Sequence, residues 1–461
     1  MMIQRYPSLP PSRALRPGVA ALAAAFAALA LALSLWAPGT LLARKAGATA
    51  GAVTVDAVAG NFSGNSGAGG AEAPAELEDA LRAVLEVKIG KGDYAGAVFA
   101  GRAGDREVLV AAGMSDLVKR TPMPPDTLFR LSSVSKAFTS VLAARMVKSG
   151  EIGLEDPVTR HLPWFTPEAP DGSTPEIRFR HLLTHTAGLG YGFSETDDGP
   201  LHRAGVSDGC GASQGLTLEE NMRRLAGVPL LFEPGERFSY SLAADAAGAV
   251  MSVAAGKPLQ ELMRERVLDP LGLGDTAFHA LDPSRLGRQY VYSNKGPRPR
   301  LMSDPERYPL GHGRHLDFSP SRALDPSAWP SGGCGMVSTA SDVLKLLDAV
   351  LALAGGTEEE RWFMEDAIAP MEAQKGEGFG GGWAYVRDPG PRPFSRGTVA
   401  WGGVYGHRWF ADPEAGVAGV LLTNTSMKGM SGDTVDLLAE LLYPRPDEGG
   451  RGGQRRPAPR R

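Results

Sequence analysis

A serine and a lysine three residues apart form the pair in this chain best suited to chemistry. They are Ser133 and Lys136, in the run Ser-Val-Ser-Lys. A Pro-Pro-Asp turn precedes the run, apolar residues follow it at helical spacing, and Gly150 provides a stop, so the pattern predicts a helix that begins near Ser133. The first turn of a helix offers unpaired N–H groups and the positive end of the dipole. A lysine one turn along lies on the same face, and if it is withdrawn from water it can accept the serine proton, which suits an acyl-enzyme mechanism.

The pair alone is a weak signal, because a chain of 461 residues shows Ser-x-x-Lys by chance roughly once or twice. The elements around it add support. Strands are predicted near both ends of the folded body, at 95–100, 107–111, 383–386, 397–401 and 418–422, with helices at 76–89 and 432–442. Residues 140–330 carry mostly helical patterns and long Pro/Gly loops. We therefore expect an α+β fold in which both ends build one sheet, an inserted helical region, and a site at their junction.

Composition excludes several classes of protein. With 43% hydrophobic residues, the chain can fold around a core. Its two cysteines, Cys210 and Cys334, rule out a disulfide-rich scaffold and a cysteine-based zinc site, and we expect free thiols, although pairing outside the cytoplasm stays open. His312 and His315 lie on a Gly/Arg-rich loop and are expected to be solvated. A phosphate-cradling loop is lacking too, so we expect neither a metal nor another cofactor in the reaction.

The charge distribution separates the ends from the body. The net charge is −4, but residues 1–72 carry +3 and residues 444–461 carry +4, which leaves −11 between them. An acidic body argues against nucleic acid as a partner.

The two ends are predicted to lie outside the folded body, which we place at 74–443. Residues 1–45 combine a basic start with an apolar run at 19–35, which predicts export through a signal peptide or an uncleaved membrane anchor. Residues 46–73 are Ala/Gly/Ser-rich and are expected to form a flexible linker. Residues 444–461 are Pro/Gly/Arg-rich and are expected to be a disordered basic tail. We expect a periplasmic or extracellular protein; its oligomeric state stays open.

Six segments in order resemble the serine β-lactamase/penicillin-binding-protein superfamily, in its class C-like branch. They cover about 95–430 and are Asp126-Thr-Leu-Phe-Arg130 with Ser133-x-x-Lys136, Leu182-Leu-Thr-His-Thr-Ala-Gly-Leu189, Phe232-Glu-Pro-Gly-Glu-Arg-Phe-Ser-Tyr-Ser241, Asp269-Pro-Leu-Gly-Leu273, Gly332-Gly-Cys-Gly-Met-Val-Ser-Thr-Ala340 and Trp401-Gly-Gly-Val-Tyr-Gly406. The resemblance implies an antiparallel sheet flanked by helices, with an all-helical region.

The resemblance also implies roles for individual residues. Ser133 would be the nucleophile, Lys136 its base, and Tyr240 the tyrosine of the family's Tyr-x-Asn motif, able to shuttle a proton to the leaving group. The oxyanion hole would consist of the backbone N–H groups of Ser133 and Val404.

Departures from the family motifs bear on the substrate. Trp401-Gly402-Gly403 stands where β-lactamases have Lys-Thr-Gly, and Leu242 stands where they have the asparagine. Loss of the cation and of the amide disfavours anionic acyl-amides and favours neutral, apolar acyl groups. Trp-Gly-Gly with Tyr-Ser-Leu is similar to the family VIII esterases. We count these positions, with His407, as candidate substrate-binding residues, although His407 fits an exposed strand position equally well.

The leading hypothesis is thus an exported serine carboxylesterase that acts on short neutral esters. One alternative is a β-lactamase or a D-Ala-D-Ala or D-amino-acid peptidase, and another is a catalytically inactive exported binding protein. Ser213 matches Gly-x-Ser-x-Gly, but the segment before it is a loop rather than a buried strand, so we expect no catalytic role for it. His185 is interpreted as a structural residue in a turn that closes a helix.

Overall fold

The computed structural model describes residues 74–212, 215–292, 299–365, 377–430 and 434–443. The strands in chain order are β1 (Gly96–Ala103), β2 (Arg106–Asp116), β3 (Thr121–Pro122), β4 (Phe129–Arg130), β5 (Tyr290–Val291), β6 (Arg300–Leu301), β7 (Glu306–Gly311), β8 (Arg314–Phe318), β9 (Val337–Ser338), β10 (Glu377–Gly380), β11 (Trp383–Val386), β12 (Val399–Gly403), β13 (His407–Asp412), β14 (Val417–Thr423) and β15 (Thr425–Ser426). The helices are α1 (Pro74–Gly90), α2 (Ser135–Lys148), α3 (Phe179–Leu183), α4 (Pro200–Arg203), α5 (Leu218–Ala226), α6 (Ala243–Ala255), α7 (Leu259–Met263), α8 (Asp269–Leu271), α9 (Ala340–Leu353), α10 (Glu358–Trp362) and α11 (Thr434–Leu442).

The largest sheet joins the two ends of the described chain. Its strand order is β10-β11-β12-β13-β14-β1-β2-β3, and its paired strands are antiparallel. The central pairing of β1 with β14 links a strand near residue 100 to one near residue 420. This confirms the expected α+β architecture.

Helices cover both faces of this sheet because successive side chains of a strand point to opposite sides. On one face Phe99 packs in a buried cluster with Leu81 of α1 and Leu438 of α11. On the other face Val98 belongs to the large core that includes Phe138 of α2 and Leu347 of α9. Helix α2 is therefore held against this second face of the sheet. Its position determines where the site lies.

The middle of the chain is only partly helical. Helices α3 to α8 fall within the predicted helical region, but residues 290–318 contain β5 and β6 and the antiparallel hairpin of β7 and β8. Strand β7 alternates between more buried and more exposed residues, as a strand does when one face is covered. The prediction of a mostly helical insertion is therefore too broad at its C-terminal end.

Several predictions concern residues beyond the described part of the chain. The signal or anchor at 1–45, the linker at 46–73, the tail at 444–461 and the loop residue Ser213 all lie outside the described residues. Among the helices that are described, none is both long enough and apolar enough to cross a membrane.

The expectation of two free thiols is wrong. Cys210 and Cys334 form a disulfide with their Cα atoms 5.7 Å apart, although 124 positions separate them in the chain. The bond joins the loop before α5 to the loop before β9. His315 also departs from expectation, since it lies buried in β8 while His312 is exposed at the hairpin turn.

Candidate active site

Ser133 lies in a short 3-10 turn, Ser132–Val134, that directly precedes α2. The backbone N–H of Leu131 donates to the carbonyl of Met336 at 2.8 Å, which anchors the turn to the loop before β9. Ser132 adopts a φ of +45°, a conformation that residues with a Cβ rarely occupy. Its hydroxyl accepts a hydrogen bond from the N–H of Tyr405 at 3.2 Å. The backbone that presents Ser133 is thus held from two directions.

Lys136 is buried on the first turn of α2, with a relative exposure of 1%. Its Nζ atom lies 2.8 Å from the carbonyl oxygen of Gly333, 3.0 Å from the hydroxyl of Tyr191 and 3.4 Å from Oγ of Ser133. Three oxygen atoms from separate parts of the chain thus surround the nitrogen. The amine is therefore fixed beside the serine.

Tyr240 completes the predicted set, 107 positions along the chain from Ser133. Its hydroxyl lies 2.7 Å from Oγ of Ser133, and Nζ of Lys136 lies 4.7 Å from the centre of its ring. Nε1 of Trp401 donates to the same hydroxyl at 3.4 Å. The structure therefore brings together the serine, the lysine, the tyrosine and the tryptophan that the sequence singles out.

The end of β12 lies directly against the turn that carries the serine. A Cβ on Gly403 would lie 2.5 Å from Oγ of Ser132 and 2.6 Å from the carbonyl of Leu131, so only glycine permits this approach. A Cβ on Gly402 would lie 3.0 Å from the carbonyl of His407, which is also tight. Val404 follows at once and is half-buried. Its N–H stays a predicted oxyanion donor.

Two candidate substrate-binding residues have other roles. His407 is fully buried, with Nε2 2.8 Å from the carbonyl of Arg130 and Nδ1 accepting from the N–H of Thr423 at 3.3 Å. Burial lowers the pKa of His407 to about 4, so its ring is neutral and holds two strands together. Leu242 is also fully buried and lies in the large core at the start of α6. Neither side chain has surface to offer a substrate, so both predictions are corrected.

His185 is a structural residue, as interpreted. It has a φ of +54° just after α3, and its Nδ1 accepts from the N–H of Ser241 at 3.2 Å. Burial, with the neighbouring charge of Lys136, holds the pKa of His185 well below its usual range. Its ring centre lies 4.9 Å from that of Tyr240, so a neutral imidazole packs against the tyrosine ring.

Sequence reasoning missed two buried groups beside Lys136. Burial, with the proximity of Tyr240, raises the pKa of Tyr191 well above its usual range, so the hydroxyl that meets Nζ of Lys136 stays protonated. Asp245 is fully buried in α6; its Oδ1 accepts from Oγ of Ser331 at 2.6 Å and from the N–H of Gly333 at 3.3 Å. Burial raises the pKa of Asp245. The single carboxylate in the Ala-rich run of α6 could have been recognised from the sequence, because burial of a charge is costly unless other groups compensate for it. The sequence around Tyr191 gives no comparable signal.

Aromatic side chains enclose the reacting hydroxyl groups. The rings of Tyr191 and Trp401 are centred 5.1 and 5.3 Å from that of Tyr240. Phe379 contacts Trp401, and Phe193 stacks on Tyr191 with the centres 4.6 Å apart. Such walls offer few polar groups to solvate an anion and present apolar surface to an acyl chain. The site can therefore support a serine nucleophile with a proton relay in surroundings that favour neutral groups.

Comparison with known proteins agrees with this geometry. The family model described as Beta-lactamase matches residues 76–442, so the chain belongs to this family. Among curated relatives, Esterase EstB from Burkholderia gladioli is 41% identical over 383 residues, which cover 80% of this chain and 96% of the relative.

Solved structures give the same result. One described as EstCE1, a hydrolase with promiscuous acyltransferase activity, matches with a TM-score of 0.76 at 39% identity, covering 81% of this chain and all of that one. Simvastatin synthase from Aspergillus terreus matches with a TM-score of 0.61 at 21% identity, covering 82% of this chain and all of that one. The second likeness supports the fold alone.

Proposed function

We propose that this protein is a serine carboxylesterase that forms an acyl-enzyme on Ser133. The observation that carries the proposal is the hydroxyl of Tyr240 2.7 Å from Oγ of Ser133, with Nζ of Lys136 3.4 Å from the same oxygen. A serine that meets both groups has a route for its proton as it attacks a carbonyl carbon. The similarity to Esterase EstB over most of its length supports the same activity.

The reaction follows from these contacts. Ser133 attacks the ester carbonyl while its proton passes to Lys136, the base, whose Nζ lies 3.4 Å from Oγ. The N–H groups of Ser133 and Val404 stabilise the tetrahedral oxyanion. Tyr240 then gives its hydroxyl proton to the departing alkoxide as the ester bond to the alcohol breaks, and it takes the proton held by Lys136 in return. Water attacks the acyl-Ser133 ester by the same route in reverse, which releases the acid and restores the serine.

The substrates we propose are short, neutral esters. Trp401 occupies the position where β-lactamases carry a cation, and its indole N–H is directed to the hydroxyl of Tyr240 rather than to a substrate carboxylate. The surrounding aromatic rings favour apolar acyl groups over charged ones. A β-lactamase or a D-amino-acid peptidase needs a partner for an anionic or amide group, so these activities are disfavoured. A purely binding protein has no need of the assembled serine, lysine and tyrosine.

A substrate panel tests the proposal. We expect p-nitrophenyl acetate and butyrate to be hydrolysed with a higher kcat/KM than a chromogenic cephalosporin or a D-amino-acid p-nitroanilide. Ser133→Ala should lower ester hydrolysis by roughly a thousand-fold or more, whereas Ser213→Ala, the matched change in the Gly-x-Ser-x-Gly run, should leave it unchanged. Preference for the β-lactam or the anilide, or loss of activity in the Ser213 variant alone, would contradict the proposal. Trapping an acyl group on Ser133 by mass spectrometry would identify the intermediate.

We also propose that the protein is exported. Residues 1–45 have the composition of a signal peptide or an anchor. The disulfide between Cys210 and Cys334 supports this, because such bonds persist mainly in oxidising compartments. Fractionation of the native host should place the body outside the cytoplasm, either released or membrane-bound through residues 19–35. Recovery of intact, reduced protein from the cytoplasm would refute it.

A further inference from the structure

A histidine pair and a carboxylate converge away from the catalytic serine, where the segment that follows Tyr191 meets β8. They are Asp197, His202 and His315, and one ligand atom from each lies within 4.8 Å of the other two. We propose that these residues bind a divalent transition-metal ion of the zinc type. Two imidazoles and a carboxylate are ligands that suit such an ion.

His315 is the strongest evidence that something occupies this position. Its relative exposure is 6%, and its Nε2 atom makes no hydrogen bond to any described residue. That atom lies 3.4 Å from Oδ1 of Asp197 and 3.3 Å from Oδ2 of Asp317, but neither contact has hydrogen-bond geometry. A buried polar atom without a hydrogen bond is costly. An ion placed between the ring nitrogen and the carboxylates would satisfy it.

His202 has the orientation expected of a metal ligand. Donation of Nε2–H to the carbonyl of Gly192 at 3.0 Å places the lone pair of the ring on Nδ1, the nitrogen that can bind a metal. A ligating histidine commonly donates its other ring N–H to a backbone carbonyl in this way. The ring centres of His202 and His315 are 5.3 Å apart. Two imidazoles on one tetrahedral zinc ion, with Zn–N near 2.0–2.1 Å, would have ring centres about 5.2 Å apart.

The charges around the cluster are compatible with a cation. Arg307 donates to both carboxylate oxygens of Asp197, to Oδ2 at 3.2 Å and to Oδ1 at 3.4 Å, and to Oδ1 of Asp317 at 3.2 Å. Each carboxylate oxygen has two lone pairs, so Oδ1 of Asp197 and Oδ2 of Asp317, which face His315, can still bind an ion. The competing explanation is a protonated His315 that pairs with both carboxylates and leaves no place for a metal. The two explanations differ in whether zinc binds.

The ion would join two parts of the fold that flank the active site. Asp197 and His202 lie in the segment between Tyr191 and the end of α4, whereas His315 lies in the hairpin of β7 and β8. An isolated β-bridge between Thr196 and Arg314 already connects them. The segment begins at the tyrosine whose hydroxyl contacts Nζ of Lys136. The site takes no part in the ester reaction and is independent of the proposed function.

Calorimetric titration with zinc chloride tests the proposal on the full chain, purified without a histidine tag and stripped with a chelator. We expect one saturable site per chain and at least a ten-fold weaker affinity for His315→Ala and for His202→Ala. His312→Asn is the matched control, because His312 is exposed three residues away in the same hairpin and asparagine tolerates its φ of +54°. It should bind zinc as the unmodified protein does.

A second variant keeps the test decisive if His315→Ala does not fold. Asp197→Asn alters an exposed side chain and should also weaken zinc binding at least ten-fold. Without added zinc, this variant should melt at the same temperature as the unmodified protein. Zinc should raise the melting temperature of the unmodified protein and of His312→Asn, but not of Asp197→Asn. Absence of saturable binding, or equal affinity in the Asp197 variant, would show that the cluster is an ion pair and overturn the proposal.

Discussion

Removal of the disulfide should weaken the fold by an amount that can be worked out from the chain. The bond between Cys210 and Cys334 closes a loop of 124 residues. In the chain-entropy model a loop of this length contributes about 5 kcal/mol, and measured losses for native disulfides run from about 2 to 5 kcal/mol. With an unfolding entropy of about 2.1 cal/mol/K per residue over roughly 370 residues, a loss of 5 kcal/mol lowers Tm by about 6 °C.

Removal of the disulfide should also lower the activity of the catalytic site. The N–H of Cys334 donates to Oγ of Ser331 at 3.0 Å, and the carbonyl of the preceding residue, Gly333, lies 2.8 Å from Nζ of Lys136. A loop no longer tied to Cys210 holds this carbonyl less firmly. We therefore expect Cys210→Ser with Cys334→Ser to lower kcat for ester hydrolysis while KM changes little, because the acyl pocket itself is untouched.

Denaturant unfolding and steady-state kinetics on the same preparations measure both effects. Each single serine variant breaks the same bond, so each should lose about as much stability as the double variant, and reductant should destabilise only the unmodified protein. The reasoning is refuted if the double variant unfolds at the same denaturant concentration as the oxidised protein, or if intact-mass analysis finds two free thiols in exported material.

The remaining predictions concern the groups around the serine. Lys136→Ala and Tyr240→Phe should each lower kcat strongly, and the double variant should lose little more than either single one, because the groups share one proton route; additive losses would mean separate roles. Trp401→Lys should weaken turnover of neutral esters and improve recognition of substrates that bear a carboxylate, measured as the ratio of the two kcat/KM values; an unchanged ratio would remove Trp401 from specificity. Asp245→Asn keeps the shape but removes a buried negative charge near Lys136. It should therefore move the acidic limb of the kcat/KM pH profile to lower pH, whereas a merely structural aspartate would lower activity at every pH alike.

The sequence by itself determined the parts of this protein that depend on local pattern. The hairpin of β1 and β2 and the closing helix α11 follow from alternation and helical periodicity, which act over a few residues. Ser133 with Lys136, Tyr240 and Trp401 stand in short runs whose order along the chain suffices to indicate the family. The net charge of the body likewise needs no structure.

Only the tertiary structure decided which distant groups meet. The carbonyl that fixes Lys136 comes from Gly333, 197 positions away, and the hydroxyl of Tyr191 comes from 55 positions away. Local periodicity carries no information about such contacts, because they depend on how β9 and α6 pack beside α2. The same limit explains the corrections to Cys334 and His407. Tertiary packing, and not the residues on either side, decides whether a thiol finds a partner and whether a strand residue faces a pocket or a backbone carbonyl.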